Sequence, residues 1–495
     1  MNNYTKLENE FLKISHINNA LDILYWDIST NMTVGSAESR TNEIVTLTSL
    51  VHGMLKSNEL NDLVGRAKEE IKELNNWQIA NIREMERNIL DANCIDDELQ
   101  KKIVAVTTEC ELVWRKARAN NDYNLFKPHL QKVLNYTKEL AKARASTFNC
   151  GVYDALIDMY DPNRKSAEIR EVYKILKKNI PELIGKALEK QKSEEIIVSS
   201  NKVSADIQKN IGKRIMEIMQ FDLTKGRLDE SLHPFCGGTS DDVRLTTRYD
   251  ENNFISGLMG IIHETGHGLY EQNLPSLYKN QPVGTAKGMA FHESQSLFME
   301  MQVGRSKEFI EFLAKILRDE FAFKGAEFSA DNLYKKVTRV KPDFIRVDAD
   351  EVTYPMHVIL RFELEELLIE GDLNLDELPK FWDTKMQEYL NIKPETVSKG
   401  CLQDIHWSNG SFGYFPAYTN GAIIASMLMK KAQETHDNIK QDILKGEFSN
   451  LNKFLNSNIR NFGSLKNSND LLKDATGEEK INPDIYIKYL EKKYL

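Results

Sequence analysis

Residues 260–272 read Gly-Ile-Ile-His-Glu-Thr-Gly-His-Gly-Leu-Tyr-Glu-Gln and hold the pattern His263-Glu264-x-x-His267. On an α-helix, residues four apart lie about 40° apart around the axis, so His263 and His267 leave one face and can share a metal ion. Glu264 lies about 100° from His263, poorly placed as a third ligand but able to reach a water beside the ion as general base. Ile261, Ile262, Leu269 and Tyr270 flank the motif, so the helix is apolar over much of its surface and is expected to be buried. Two histidines and a glutamate buried without partners would be costly, whereas metal ligation satisfies them. The plainer reading is a histidine pair satisfied in the core or solvated at the surface. Gly260, Gly266 and Gly268 speak against it. Each weakens a helix by up to ~1 kcal/mol relative to alanine, so three in nine residues imply that something packs against the backbone.

A catalytic zinc site takes three protein ligands and keeps one position open for water. The third ligand is expected from His292-Glu293, at the start of the next helix. Adjacent helical residues diverge by about 100°, so the two do not both ligate, and Glu293 is preferred because His–His–Glu is a known catalytic set. His292 then orients a ligand or touches substrate. Six of the ten histidines (His233, His263, His267, His292, His357 and His406) fall in this part of the chain, as one site assembled from it would produce. Arg244, Arg248, Arg346 and Arg361 lie in segments expected to be partly buried, where a guanidinium needs a carboxylate. Asp242, Asp348, Asp350 and Glu363 are the expected partners.

The elements that must position these residues are mostly helices. Apolar residues recur at three and four from Leu7 to Arg118, and there is no proline before Pro128. Asp96-Asp97 is expected to divide the stretch from Glu84 to Arg118 in two. Tyr123–Phe148 and Ser166–Lys192 read as further helices, the second kinked or broken at Pro181. Glu194–Val198 reads as a short strand or a connection, Ala205–Phe221 as a helix, and Asp222–Pro234 as a loop. Asp242–Tyr249 alternates and is rich in β-branched residues, the best strand candidate, and it could pair with an extended substrate. Thr396–Gly413 is irregular, and helices return after it.

Hydrophobic residues at 41% and charged residues at 28% are ordinary for a globular chain, and the formal net charge of −9 argues against a nucleic-acid partner. There is no run of eighteen apolar residues and no apolar core near Met1, so neither a membrane span nor a signal peptide is expected, and the location expected is cytoplasmic. Five scattered cysteines without a C-x-x-C pair suggest neither a disulfide framework nor a thiolate metal site.

An ordered set of blocks gives the chain a close resemblance to the carboxypeptidase Taq family. They are His233-Pro234-Phe235, Asp242-Val243-Arg244-Leu245-Thr246, His263–His267, His292-Glu293-Ser294-Gln295, Ile345-Arg346-Val347-Asp348-Ala349-Asp350 and Gly400–Trp407. Trp26-Asp27 with Arg40, and Ser411–Pro416, extend the likeness over nearly the whole length. The chain departs from the family at Gly268, where a small side chain is usual, and at Leu297-Phe298-Met299, where Arg-Leu-Trp-like residues are usual. The resemblance implies a mainly α fold of the neurolysin type with a long substrate groove and a small β-sheet near the active site. Residues 1–495 would form one catalytic domain, two helical lobes flanking a deep cleft. It implies a homodimeric metallocarboxypeptidase, one zinc ion per subunit with cobalt as substitute, that trims peptides bearing a free C-terminus. His263, His267 and Glu293 would be the ligands and Glu264 the acid/base. Arg346 would lead as holder of the terminal carboxylate, with Arg244, His233 and His292 beside substrate. His406, Tyr414 and Tyr418, in or just after the irregular segment, are the candidates for stabilising the oxyanion. A helical zinc oligopeptidase, cutting internally, would share this site.

Overall fold

A computed structural model describes residues 2–199 and 202–495. Before residue 200 the chain is a succession of helices: α1 (Asn3–Thr30), α2 (Ala37–Leu55), α3 (Asn58–Glu69), α4 (Asn76–Asn93), α5 (Asp97–Asn120), α6 (Tyr123–Phe148), α7 (Val152–Ile157) and α8 (Ser166–Gln191). Side-chain caps set the boundaries. Asp96 accepts from the Leu99 N–H at 2.7 Å to start α5, and Asp122 accepts from the Leu125 N–H at 3.0 Å to start α6. Asn121 and Asn149 end those helices in left-handed conformation, with φ of 55° and 50°. Of the kink or break expected at Pro181, the break is absent: α8 runs through the proline. Ile180, Leu183 and Ile184 are buried on either side of the proline, so tertiary packing outweighs its local penalty of about 3 kcal/mol.

Two apolar clusters form. A small one joins Tyr4, Leu7 and Phe11 of α1 to Leu60 and Leu63 of α3 and Met85 and Ile89 of α4. The large one runs from Cys110 of α5 to Tyr494 of α20. α2 has no buried residue. Residues 194–198 form a connection, held where the Asn332 side chain accepts from the Ile197 N–H at 2.7 Å and donates to the Ile197 carbonyl at 3.0 Å.

α9 (Ala205–Ile218) leads into a three-stranded sheet: β1 (Gly226–Glu230), β2 (Cys236–Thr239) and β3 (Asp242–Thr247), in the order β1-β3-β2. Two expectations change here. Part of the stretch taken as a loop is strand β1, parallel to β3 with Leu228 opposite Leu245. β3 is the central strand, hydrogen-bonded on both edges, so it has no free edge for an extended substrate.

Beyond the sheet come α10 (Phe254–Gln272), α11 (Gly288–Leu297) with a π-helical continuation over Phe298–Gly304, α12 (Lys307–Asp319) and α13 (Ala330–Val337). α14 (Tyr354–Glu370), with Pro355 in its first turn, and α15 (Leu378–Leu390) precede the irregular stretch. α16 (Pro416–Thr435), α17 (Ile439–Lys445), α18 (Ser449–Asn458), α19 (Ser468–Thr476) and α20 (Pro483–Tyr494) complete the chain.

Candidate metal centre and active site

α10 is buried along most of its length, and its glycines set how closely its neighbours approach. A Cβ on Gly266 would stand 2.3 Å from the Gln295 carbonyl oxygen and 2.6 Å from Ser296 Cα, so α10 and α11 meet there backbone to backbone. At Gly268 a Cβ would stand 2.6 Å from the Phe221 ring, which fills the space that a side chain would take. Gly260 faces only Thr247 Oγ1, at 4.0 Å, so close packing accounts for two of the three glycines.

The approach of α11 brings Glu293 to the two histidines. Glu293 Oε2 is 3.7 Å from Nε2 of His263 and 3.7 Å from Nε2 of His267. All three ligand atoms lie within 4.8 Å of one another. A tetrahedral ion with bonds of about 2.1 Å spaces its ligand atoms by roughly 3.4 Å, so the trio closes around one with a small adjustment. Two imidazoles and a carboxylate suit a first-row transition dication better than magnesium or calcium, which favour oxygen ligands.

The opposite ring nitrogens are already engaged. His263 Nδ1 is 2.9 Å from Glu300 Oε2, and Glu300 Oε1 accepts from Arg305 Nη2 at 2.6 Å. His267 Nδ1 lies 2.5 Å from His292 Nδ1, and His292 Nε2 lies 2.8 Å from Glu271 Oε1. These contacts orient both rings with Nε2 toward Glu293. Glu264, Glu271, Glu293 and Glu300 converge here, and among the described residues Arg305 is the one lysine or arginine paired with any of them.

That excess of negative charge shapes the protonation states. Burial pushes Glu264 up to about 7, with His263 opposing and Glu293 adding to the rise. Glu264 Oε2 is buried and has no hydrogen-bond partner among the described residues. Burial disfavours charge on His263, but the Glu300 hydrogen bond and the surrounding carboxylates outweigh it and raise the imidazole to about 9. His267 goes the other way, held well below the usual imidazole range by burial and then by His292 and His263, so it is neutral, as a metal ligand must be.

A second cluster forms where the irregular stretch meets α16. His406 Nε2 is 3.2 Å from the Tyr418 hydroxyl, which is also hydrogen-bonded to Tyr414. Arg346 lies over the Tyr418 ring at 4.7 Å and the Phe415 ring at 5.5 Å. Its carboxylate partner is none of those expected. Arg346 Nε and Nη2 are each 3.0 Å from Asp404 Oδ1, while Arg361 Nε and Nη2 hold Oδ2 at 2.7 and 2.5 Å. Asp350 is instead occupied by the N–H groups of Lys341, Val352 and Thr353, and Glu363 by Lys177, Tyr389 and Lys385. Two buried guanidiniums on one carboxylate leave one positive charge over. Asp404 stays ionised, because Arg361 and Arg346 overcome its burial and hold it far below the usual carboxylate range. His406 is kept neutral, lowered to about 3 by burial and then by Arg346.

The two clusters are neighbours through α16. Gly421, one turn after Tyr418, lies so close to α11 that a Cβ would stand 2.6 Å from Glu293 Cβ. Burial raises Tyr354, Tyr414 and Tyr418, the last to about 12; Glu293 adds to the rise in all three, and Arg346 opposes it at Tyr354 and Tyr418. Among the described residues, neither Arg244 nor His233 makes a hydrogen bond or ion pair with either cluster. Arg244 pairs with Asp242 at 2.8 Å, as expected, and covers the Trp26 ring at 4.3 Å, whereas His233 is exposed in the loop after β1. Asp404, Tyr354 and Glu300 belong to these clusters and were not singled out from the sequence, whereas Arg361 was named there with Arg346 as a buried guanidinium in need of a carboxylate. Only Glu300 left a usable signal, standing two turns after Glu293.

The family profile described as carboxypeptidase Taq (M32) metallopeptidase matches residues 6–494. The chain belongs to the carboxypeptidase Taq family. Carboxypeptidase 1 of Bacillus subtilis is 31% identical over 483 residues, covering 97% of this chain and 96% of that protein. Thermostable carboxypeptidase 1 of Pyrococcus furiosus is 32% identical over 492 residues, covering 98% and 97%. The structure of Trypanosoma cruzi metallocarboxypeptidase 1 superposes with a TM-score of 0.97 at 36% identity, covering 99% of both chains. As a member of the carboxypeptidase Taq family the chain is a metallocarboxypeptidase, a peptide hydrolase that uses a divalent metal, on the mainly helical fold expected. No described helix is long and apolar enough to cross a membrane.

Proposed function

We propose that His263, His267 and Glu293 hold one zinc ion, that Glu264 carries the proton of the reaction, and that Arg346 seats the terminal carboxylate of the peptide. The observation that carries this reading is the convergence of two Nε2 atoms on Glu293 Oε2 at 3.7 Å, beside a buried, unpartnered Glu264 oxygen. Zinc held there, or cobalt in its place, supplies a Lewis acid and makes water acidic enough to deprotonate near neutral pH.

The remaining steps belong to the chain. Glu264, buried and with one oxygen unpartnered among the described residues, can take a proton from water and return it to the leaving amine. Donors from His406, Tyr414 and Tyr418, a cluster in which His406 Nε2 is 3.2 Å from the Tyr418 hydroxyl, would stabilise the carbonyl oxygen as it gains charge. Arg346 and Arg361 share Asp404, and the surplus positive charge is answered when a peptide carboxylate enters. A guanidinium matches a planar carboxylate in a way that an ammonium does not. A neutral amide terminus would leave that charge uncompensated, which makes the site an exopeptidase. The family resemblance further supports a homodimer.

The test is a time course on one short peptide with a free C-terminus and on its C-terminal amide, with and without chelator, reading all products by mass spectrometry. Stepwise single-residue losses from the free peptide, abolished by chelator and restored by zinc or cobalt, are expected. Internal cuts would favour the oligopeptidase, and equal trimming of the amide would remove Arg346 from its role.

A further inference from the structure

The π-helical segment Phe298–Gly304 carries Glu300, the partner of His263, and is itself tied down from the far end of the chain. At its end the Arg305 N–H bonds back to the Glu300 carbonyl and the Ser306 N–H to the Val303 carbonyl, so neither reaches the Met301 carbonyl. Met301 O is instead 3.1 Å from Lys493 Nζ and 3.0 Å from the Tyr489 hydroxyl, both on α20. Tyr489 has one hydroxyl hydrogen, and the Glu351 carboxylate, 2.5 Å away, is the stronger acceptor. The Met301 carbonyl therefore depends on Lys493.

Lys493 is fully committed. Its three N–H bonds go to Met301 O at 3.1 Å, Glu351 Oε2 at 2.7 Å and the Tyr489 hydroxyl at 2.9 Å. The side chain is 8% exposed and that of Glu351 0%. Tyr494 adds a hydroxyl to Glu351 Oε2 at 2.8 Å. Arg305, which holds Glu300, is also within the field of Glu351. With Lys493 present Glu351 is neutralised and Arg305 stays on Glu300.

We infer that Lys493 is a positioning residue for the metal centre, acting through the Met301 carbonyl and Arg305 to hold Glu300 against His263. This rests on the reading of His263, His267 and Glu293 as the metal ligands. Removing Lys493 frees the carbonyl next to Glu300 and leaves Glu351 to draw Arg305 away, so the Nδ1 partner of a ligand histidine becomes mobile.

The experiment is Co2+ binding by the purified chain, read by its visible d–d spectrum and by competition with a chromophoric chelator. Lys493→Met should weaken Co2+ binding by about tenfold, the low end of what loss of support behind a ligand costs, and should shift the d–d bands. Tyr486→Phe is the control. It deletes a buried hydrogen bond from α20 to the Glu351 carbonyl, 3.0 Å long, without touching Met301. It should lower the melting temperature and leave the spectrum unchanged. In a Glu300→Gln background the Lys493→Met effect on Co2+ affinity should largely vanish. Parental Co2+ affinity and spectrum in Lys493→Met would overturn the inference, as would full additivity with Glu300→Gln. Failure of the parent chain to bind Co2+ would instead remove the metal-site reading, and this inference with it.

Discussion

Gly266→Ala tests how the metal site is built. A Cβ 2.3 Å from the Gln295 carbonyl oxygen needs roughly another 1 Å to reach even a tight non-bonded approach, and the opposing atoms are backbone. α10 and α11 must therefore part by about that amount, next to His267 on one side and two residues from Glu293 on the other. Two bonds of about 2.1 Å span at most about 4.2 Å. Adding ~1 Å to the 3.7 Å between Glu293 Oε2 and the histidines exceeds that span, so the carboxylate is lost or held under strain. Overpacking of this kind costs about 1–3 kcal/mol, and the helix propensity of alanine returns at most ~1 kcal/mol. The metal-free protein should lose about 1–2 kcal/mol of stability by denaturant titration, and zinc affinity by chelator competition should fall by one to two orders of magnitude. Gly260→Ala, with nothing nearer than 4.0 Å, should instead gain about 0.5–1 kcal/mol and bind zinc as before. Parental zinc affinity in Gly266→Ala, or equal behaviour of the two variants, would refute the argument.

Other outcomes follow from the same geometry. Glu264→Gln should keep its metal, measured by elemental analysis, and lose about 10²–10⁴ in kcat. Asp404→Asn strands two buried guanidiniums and should destabilise the fold by about 3–5 kcal/mol in urea titration, unlike a surface Asp. His357 is buried, has no partner for either ring nitrogen among the described residues and is lowered, first by burial and then by Arg361, to about 3, so the folded state holds it neutral. Below its unfolded value of about 6.5 the unfolded chain binds the proton that the fold refuses, so this contribution to stability is complete above 6.5 and is lost toward 3. At pH 5.5 the loss is about 1.4 kcal/mol, and His357→Asn should shrink the drop in urea midpoint between pH 7.5 and 5.5. Glu365, raised by burial to about 7, works in the opposite sense over 4.5–7 and is common to both proteins, so the difference between them isolates His357.

Local chemistry was readable from the sequence, and long-range pairing was not. Scarce proline and Asx caps mark α5 and α6 because both act within a turn of the residue concerned. The His263–His267 pair is legible because one helical turn fixes it. Pro181 misleads because the burial that overrides it comes from other helices. β1 was missed because Leu228 is its one fully buried residue, and its strand character exists only through pairing with β3. Asp404 could not be matched to Arg346 and Arg361, since no local rule links positions 58 and 43 residues apart.

The start of α16 touches both halves of the site, Tyr418 against Arg346 and, one turn on, Gly421 against Glu293. One turn thus acts as a ruler. Three residues at about 1.5 Å each separate the two contacts by about 4.5 Å along the axis, while an extended peptide advances about 3.3–3.6 Å per residue. Under the proposed roles, the number of residues released per cut is set by a rigid helical spacing rather than by a flexible loop. One residue inserted between Tyr418 and Gly421 would turn the two contacts about 100° out of register, and should abolish trimming rather than convert it to release of dipeptides.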